Sequence, residues 1–487
     1  MSKDDEKIEA ASSPPDQPPI LDARDWTSPD DPGNPRNFSL TRRIASTFAV
    51  TFFAFGSTFG ASVYSPGIQD VVRQFHVSEE LAILPLSMYT VGLALGPLIG
   101  SPLCETCGRK LVYLITGPLF ALFTLGAGFS NNIAALVVCR FFAGFAAAPA
   151  IGNASATIID YTAGRYRTVI MSFYFSIPII GACSGPLVGG LVAQATNWRW
   201  TQWTIIFLLI AFYIPILFTR ESYKKIILRR RAKKLGVPGP AEVARTWLQF
   251  VQHFLRTQLI RPVHMLFTEP IVTLVCIYNS FLFGLIYLFI VASPWVYETY
   301  YGFGITGQSL SFLGLIIGAT IAPIPLIVLD HYLYQPRLKR FGGQSAPDEQ
   351  FPAENRLFGA LVASFVQPAA LFGFAWTARR SIHWIVPMIF QAISMMTSIM
   401  IYAPCQLFML DTYGPLYGAS AAGAAMLTRY GVSAAFPLFA LQLYRKLGVG
   451  WATSLLAFCS LAMAPIPWLF WRCGERLRGR TKYETSI

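Results

Sequence analysis

The sequence predicts an all-α integral membrane protein with twelve transmembrane helices in two six-helix halves. Composition, run length and one polar break carry that expectation. Of 487 residues, 54% are hydrophobic and only 13% charged, whereas a soluble domain carries about 25% charged residues. The apolar residues gather in twelve runs, and a bilayer crossing takes about 20 predominantly apolar residues. One long polar stretch, 220–269, divides the runs six and six, a plan common to carriers built from repeated halves.

Residues 1–43 contain no apolar run. Nine acidic residues and Pro14, Pro15, Pro18, Pro19, Pro29, Pro32 and Pro35 give them the composition of a disordered cytosolic tail. A secretory signal needs an apolar core near the start, and the first run opens only at Ile44, so the first helix is expected to act as an internal signal-anchor. The N-terminal half, 44–219, holds spans at 44–64, 81–101, 111–129, 133–155, 168–193 and 200–219. A basic cytosolic loop at 220–269 follows. The C-terminal half, 270–470, holds spans at 270–292, 306–329, 357–376, 382–403, 416–441 and 447–470, and residues 471–487 form a second cytosolic tail. The first span ends in Val63-Tyr64-Ser65-Pro66 and the seventh in Val291-Ala292-Ser293-Pro294, so matching helices are expected to break at the same Ser-Pro.

Formal charge is +13, and the positions of the bases explain it. With the N-terminus inside, 30 of the 38 Lys and Arg fall in cytosolic segments, six in outside loops and two within spans, as the positive-inside rule requires. The excess is therefore mainly topological, and no nucleic acid is expected as a partner. Residues 223–235 have the charge to lie as a helix on the anionic inner leaflet. Eight Cys scattered through apolar runs make no disulfide framework. Cys104-x-x-Cys107 lacks the second Cys pair or His run that a zinc site needs, so no metal and no cofactor is expected.

Four features carry chemistry. Between spans 2 and 3 stands Ser101-Pro-Leu-Cys-Glu105-Thr-Cys-Gly108-Arg109-Lys110, where an acid four residues before an Arg pairs with it or with a helix terminus. Arg140 lies in span 4 and Arg429 in span 11. A guanidinium in a bilayer costs several kcal/mol unless it meets partners or water, so each is either a functional charge or a hydrogen-bond anchor between helices. Span 5 carries Gly181-x-x-x-Gly185-Pro186-x-x-Gly189-Gly190; Gly residues four apart share a face where helices pack closely. Span 11 has its own small-residue run, Gly418 to Ala425, and both helices are expected to pack across the half-to-half interface. Tyr89, Asn153, Tyr174, Tyr278, Asn279, Tyr287, Gln391 and Gln406 are polar groups within apolar spans, and are candidates either for a substrate cavity or for helix packing.

These motifs resemble those of the major facilitator superfamily. Leu103, Gly108, Arg109 and Lys110 match its loop signature Gly-x-Leu-x-Asp-x-x-Gly-Arg-Lys, with Glu105 for the Asp and Ser101 for the first Gly. The resemblance implies a cytosolic latch of Glu105, Gly108, Arg109 and Lys110 with Asp160 at the inner end of helix 4. The plain alternative is a positive-inside loop with no moving part. Arg140-Phe-Phe-Ala-Gly144 matches the family's helix 4 signature, associated with proton transfer or substrate contact, and the helix 5 pattern matches its antiporter signature. Further boxes resemble the fungal twelve-span drug:proton antiporters of the DHA1 type: Asp31-Pro-Gly-Asn34-Pro-Arg-Asn37-Phe38, Asn197-Trp-Arg-Trp200, Pro352-Ala-Glu354-Asn-Arg356-Leu, and the stretches around Asp411, Pro437 and Leu447.

The resemblance implies a monomeric, multi-pass exporter in the plasma membrane, or alternatively the vacuolar membrane. Such a protein moves small molecules against inward proton flow by alternating access. No central Asp or Glu occupies the spans, and Asp160, Glu269, Asp330 and His383 lie near their ends, so proton coupling rests on the family alone. A cavity with Arg140 and Arg429 and no carboxylate favours lipophilic neutral or anionic compounds over cations: drugs, fungicides or secondary metabolites. The alternative is an organic-acid or nutrient uptake symporter, against which the helix 5 signature argues. No polar cluster of catalytic spacing suggests an enzyme.

Overall fold

The computed structural model describes residues 25–28, 30–162, 167–238, 255–342, 352–479 and 481–483, and among them the chain is helical without strands. The crossing helices are α1 (Leu40–Ser62), α2 (Glu79–Cys107), α3 (Arg109–Gly128), α4 (Ile133–Tyr161), α5 (Arg167–Ala195), α6 (Trp198–Leu217) and α7 (Pro270–Tyr301). α8 (Ile305–Arg340), α9 (Phe358–Thr377) and α10 (Ile385–Gly414) follow. The stretch Tyr417–Arg478 is 62 residues long, more than enough for two crossings. It is interrupted at Gly448, whose φ of 71° is not helical, and so supplies α11 (417–447) and α12 (449–478). Side-chain caps start several of these helices: Ser78 accepts from the Leu81 amide, Asn132 from Ala135 and Asn197 from Arg199. Leu122, Phe207, Ile210, Trp451 and Phe458 stand exposed around the bundle, the outward apolar face that lipid covers.

Several expectations are corrected. The tail is folded from residue 30 onward, while residues 1–24 lie outside the described residues. Asp31 is buried and accepts from the Gly33 amide at 2.7 Å and the Thr27 hydroxyl at 2.9 Å. Asn34 caps a 3-10 turn at Pro35–Asn37, and α1 begins at Leu40. Composition hides this order because short polar side chains here satisfy backbone groups locally. The basic stretch forms a helix, Lys224–Leu235, that buries Ile226, Leu228 and Ala232. Its Arg231 grips Asp31 with both terminal nitrogens at 2.5 and 2.6 Å, and Lys224 meets Asp25 at 2.6 Å.

The shared Ser-Pro does not break both helices. α1 tightens into a 3-10 turn at Ser65–Gly67 before the short helix Ile68–Phe75, whereas α7 runs through Pro294 to Tyr301. The difference lies in the next residue. Gly67 lets the backbone turn beneath Trp198, whose Cβ would lie 2.7 Å from a Cβ at 67, whereas Trp295 follows Pro294 and α7 ends only at Gly302 with φ 66°. The links that pair α2 with α3, α10 with α11 and α11 with α12 shrink to single non-helical glycines: Gly108, Gly414 and Gly448.

The glycine face of α5 packs inside its own half. A Cβ at Gly181 would lie 2.6 Å from the Phe55 carbonyl, at Gly185 3.0 Å from that of Phe59, and at Gly189 2.2 Å from that of Val63, all on or just past α1. Of these glycines Gly190 alone faces the other half, against Ser309 of α8, yet α5 as a helix does pack along α8 across the interface, as expected. Pro186 sits within α5 without ending it. In the small-residue run of α11, Gly418 lies beside Leu410 of α10 and Gly423 beside Pro262 of the segment between the halves, while Met426 just after it meets Gly152 of α4 in the other half.

Candidate functional site

Between the halves, α1, α4, α5, α7, α10 and α11 enclose a cavity of ≈ 30 Å³, room for about one or two waters. This conformer is therefore contracted. Arg429 of α11 is the one charged side chain in the lining, which contains no Asp or Glu. Its guanidinium carbon lies 4.4 Å from the ring centre of Phe283, 4.7 Å from Tyr430 and 5.2 Å from Tyr402, a cation enclosed by π faces. One terminal nitrogen donates to the Tyr402 hydroxyl, and Nε has no partner among the described residues. The hydroxyl of Tyr287, across the same cavity, is also without one. Tyr174 donates to the Ile151 carbonyl at 2.5 Å, and the neighbouring Phe175 sets its ring edge-on to Tyr402 at 5.2 Å. That ring pair bridges α5 and α10, and with them the two halves.

Arg140 stands elsewhere. It is buried in α4, where it donates to the carbonyls of Gly60 at 2.7 Å and Ala61 at 2.9 Å. Those are among the last four carbonyls of α1, the groups a helix end leaves short of donors. Tyr89 completes the tie: its ring lies 4.4 Å from the guanidinium carbon and its hydroxyl donates to the Ser57 carbonyl at 2.7 Å. Neither residue lines the cavity.

At the face that carries both tails, Arg109 opens α3 and its Nε donates to Asp160 at 2.6 Å. Asn153 joins them by accepting from Arg109 at 3.3 Å. Glu221, just beyond α6, accepts the Arg109 amide at 2.9 Å and the Lys110 amide at 3.1 Å, capping α3. Gly108 makes room: its φ is 97°, and a Cβ there would fall 2.4 Å from Glu221 Oε2. Ser222 donates to Asp160 at 3.0 Å, and the Lys110 amine to the Leu217 carbonyl at 2.9 Å. The Glu105 side chain lies outside the described residues. The second half repeats the arrangement, with Arg356 before α9 paired to Asp411 of α10, and Glu354 to Arg478 of α12.

Of the remaining candidates, Asn279 and Gln406 face each other at 3.5 Å, Gln391 donates to Ser293 at 2.6 Å, and Tyr278 is buried with its hydroxyl unpartnered. None of the four lines the cavity, so of the eight polar candidates it receives Tyr174 and Tyr287. Sequence reasoning passed over Phe283, Tyr402, Tyr430 and Glu221. Opposite the tails the halves meet through Glu79–Arg445 at 2.8 Å, Ser65 to the Ile290 carbonyl at 3.3 Å, and Thr306 to Gln194.

A family model described as Major Facilitator Superfamily matches residues 50–437. The MFS-type transporter traF of Penicillium crustosum is 36% identical over 96% of this chain and 94% of its own. Polyamine transporter 4 of Saccharomyces cerevisiae is 32% identical, covering 94% of this chain and 73% of its own. The MFS-type efflux pump MFS2 of Trichophyton rubrum is also 32% identical, over 93% and 76%. Among solved structures, the proton:xylose symporter XylE shares the fold with a TM-score of 0.63 at 16% identity, over 89% of this chain and 97% of that one. Twelve crossings in two halves, a cavity between them and similarity along nearly the whole chain lead to one conclusion: the protein is a membrane transporter that belongs to the major facilitator superfamily, on its DHA1-like branch.

Proposed function

We propose that the protein is a proton-coupled antiporter that exports lipophilic neutral or anionic small molecules by alternating access, with both tails in the cytosol of a plasma-membrane protein. The observation that carries the substrate class is the cavity between the halves, whose lining holds Arg429 and no carboxylate. A positive site in low dielectric repels organic cations and attracts anions. Polyamine transporter 4 carries by its name a polycation; nothing acidic in this lining would balance one. Export is supported by the efflux-pump relative and by the α5 glycine pattern. Proton coupling follows from the family resemblance, since the buried acids Glu221, Glu269 and Asp330 and the half-buried Asp160 and Asp411 stand outside the cavity lining.

Transport into inside-out vesicles under an imposed proton gradient tests the reading, with matched neutral, anionic and cationic labelled compounds. Gradient-driven accumulation of the neutral and anionic compounds is the expected result. Uptake indifferent to the gradient would remove proton coupling, and preferential uptake of the cation would overturn the substrate class.

A further inference from the structure

Arg429 is a buried charge without a counter-ion. Among the described residues no carboxylate pairs with it; its partners are three aromatic faces and phenol hydroxyls. A buried charge normally persists because an opposite charge or several hydrogen bonds offset its desolvation, and here Nε lacks even that bond. Arg140 shares the unpartnered Nε but supplies a contrast elsewhere, since two backbone carbonyls at 2.7 and 2.9 Å hold its terminal nitrogens and it stands outside the cavity lining. Rings cover the faces of the Arg429 guanidinium, so what remains for a ligand is its in-plane edge, where a carboxylate or phenolate oxygen binds best. In the lining of the same cavity, the Tyr287 hydroxyl stands fully buried and unpartnered. The walls beside both are flat aromatic rings, Phe175, Phe283 and Tyr402 among them.

We propose that this cavity is a recognition site for planar aromatic anions, whose negative oxygen meets Arg429 Nε and the Tyr287 hydroxyl while the ring stacks among Phe175, Phe283 and Tyr402. The inference rests on the cavity being the transport site. It narrows the substrate from lipophilic neutral or anionic compounds to flat acids, and assigns each recognising group. An anion brought to Arg429 offsets the charge that α11 otherwise holds unpaired in low dielectric. Entry requires the Phe175–Tyr402 contact to part, because the contracted cavity has room for only about one or two waters.

The test is equilibrium binding to the full chain in lipid nanodiscs without any gradient, using radiolabelled 2-naphthoate, 2-naphthamide and 2-naphthylmethylammonium as an anionic, neutral and cationic set on one ring. Naphthoate is expected to bind at least tenfold more tightly than the amide and the ammonium least. Arg429→Gln should erase the preference for naphthoate while changing amide binding less than threefold. Arg429→Lys should keep part of it, and Tyr287→Phe should weaken naphthoate several-fold. If Arg429→Gln does not fold, the Lys and Phe variants decide. Equal binding of acid and amide, an undiminished preference in Arg429→Gln or, failing that, in both Arg429→Lys and Tyr287→Phe, or no naphthoate binding up to about 1 mM overturns the proposal. Because no gradient is applied, the outcome is independent of whether the vesicles report export, so failure of this site and failure of the antiporter reading are separable.

Discussion

At the scale of the residue, the two intramembrane arginines show how environment assigns a role. Both are long cations in apolar helices with an unpartnered Nε, yet Arg140 gives its terminal nitrogens to the end of α1 while Arg429 stands in the lining of a cavity. Glycine obeys the same logic of surroundings. Gly189 touches the Val63 carbonyl so closely that a methyl group would stand 2.2 Å from it, whereas at Gly431 of α11 nothing lies within 4 Å. Replacing Gly by Ala in a helix gains about 1 kcal/mol of propensity, and forcing a methyl into a packed contact costs about 1–3 kcal/mol. Gly189→Ala is therefore expected to lower the melting temperature and transport, and Gly431→Ala to leave both unchanged or raise the melting temperature. Thermal melts of the two detergent-solubilised variants check this, and a Gly189→Ala protein as stable as the parent would contradict the close α1–α5 packing.

At the scale of the element, two devices at the tail face depend on carboxylates that address backbone or a distant base. Glu221 accepts four amides, those of Arg109, Lys110, Ser222 and Tyr223, at 2.9 to 3.1 Å, joining the start of α3 to the end of α6. Glu221→Ala is expected to cost about 1–2 kcal/mol as a lost cap and to speed amide hydrogen exchange in the first turn of α3, with Glu221→Gln intermediate; unchanged exchange there would remove the cap from the account. The second device is the Asp31–Arg231 clasp, which holds the tail box to the loop helix. Arg231 holds the Asp31 carboxyl well below its ordinary value, helped by the Gly33 and Thr27 groups. A depressed folded value means that the stabilisation is complete above the unfolded value of about 3.9 and is lost only as pH falls through the folded one. Exchange protection of residues 31–38, corrected for intrinsic rate, should thus be flat from pH 7.5 to 5 and lost at either pH in Asp31→Asn. A fall in protection between pH 7 and 5 would show that another group titrates the clasp.

At the scale of the whole molecule, the crossings were legible because apolar length is a local property, and the halves because one basic loop interrupts them. Pairings between distant helices were not. Glu221 lies 112 residues from Arg109, and nothing in its neighbourhood marks it as a cap; Tyr402, Tyr430 and Phe283 are three rings among 21 Tyr and 38 Phe. Asn153 did carry a usable signal, since it precedes Asp160 by seven residues and so shares its helix face, which places it with Arg109 instead of in the cavity. The same global view yields a last prediction. The Phe175–Tyr402 pair closes the cavity between α5 and α10, while Gln194 and Thr306, with Glu79 and Arg445, join the halves on the side away from the tails. Alternating access requires these contacts to break by turns, so a bridge across either set must stop transport. Cysteines at 194 and 306, joined by a short thiol-reactive cross-linker with a cleavable disulfide, should abolish transport and recover it on reduction. The two single-cysteine variants, which keep the eight native thiols, should be unaffected by the reagent. Transport that continues at full rate in the bridged protein would mean that the halves need not separate there, and the alternating-access account of this chain would fail with it.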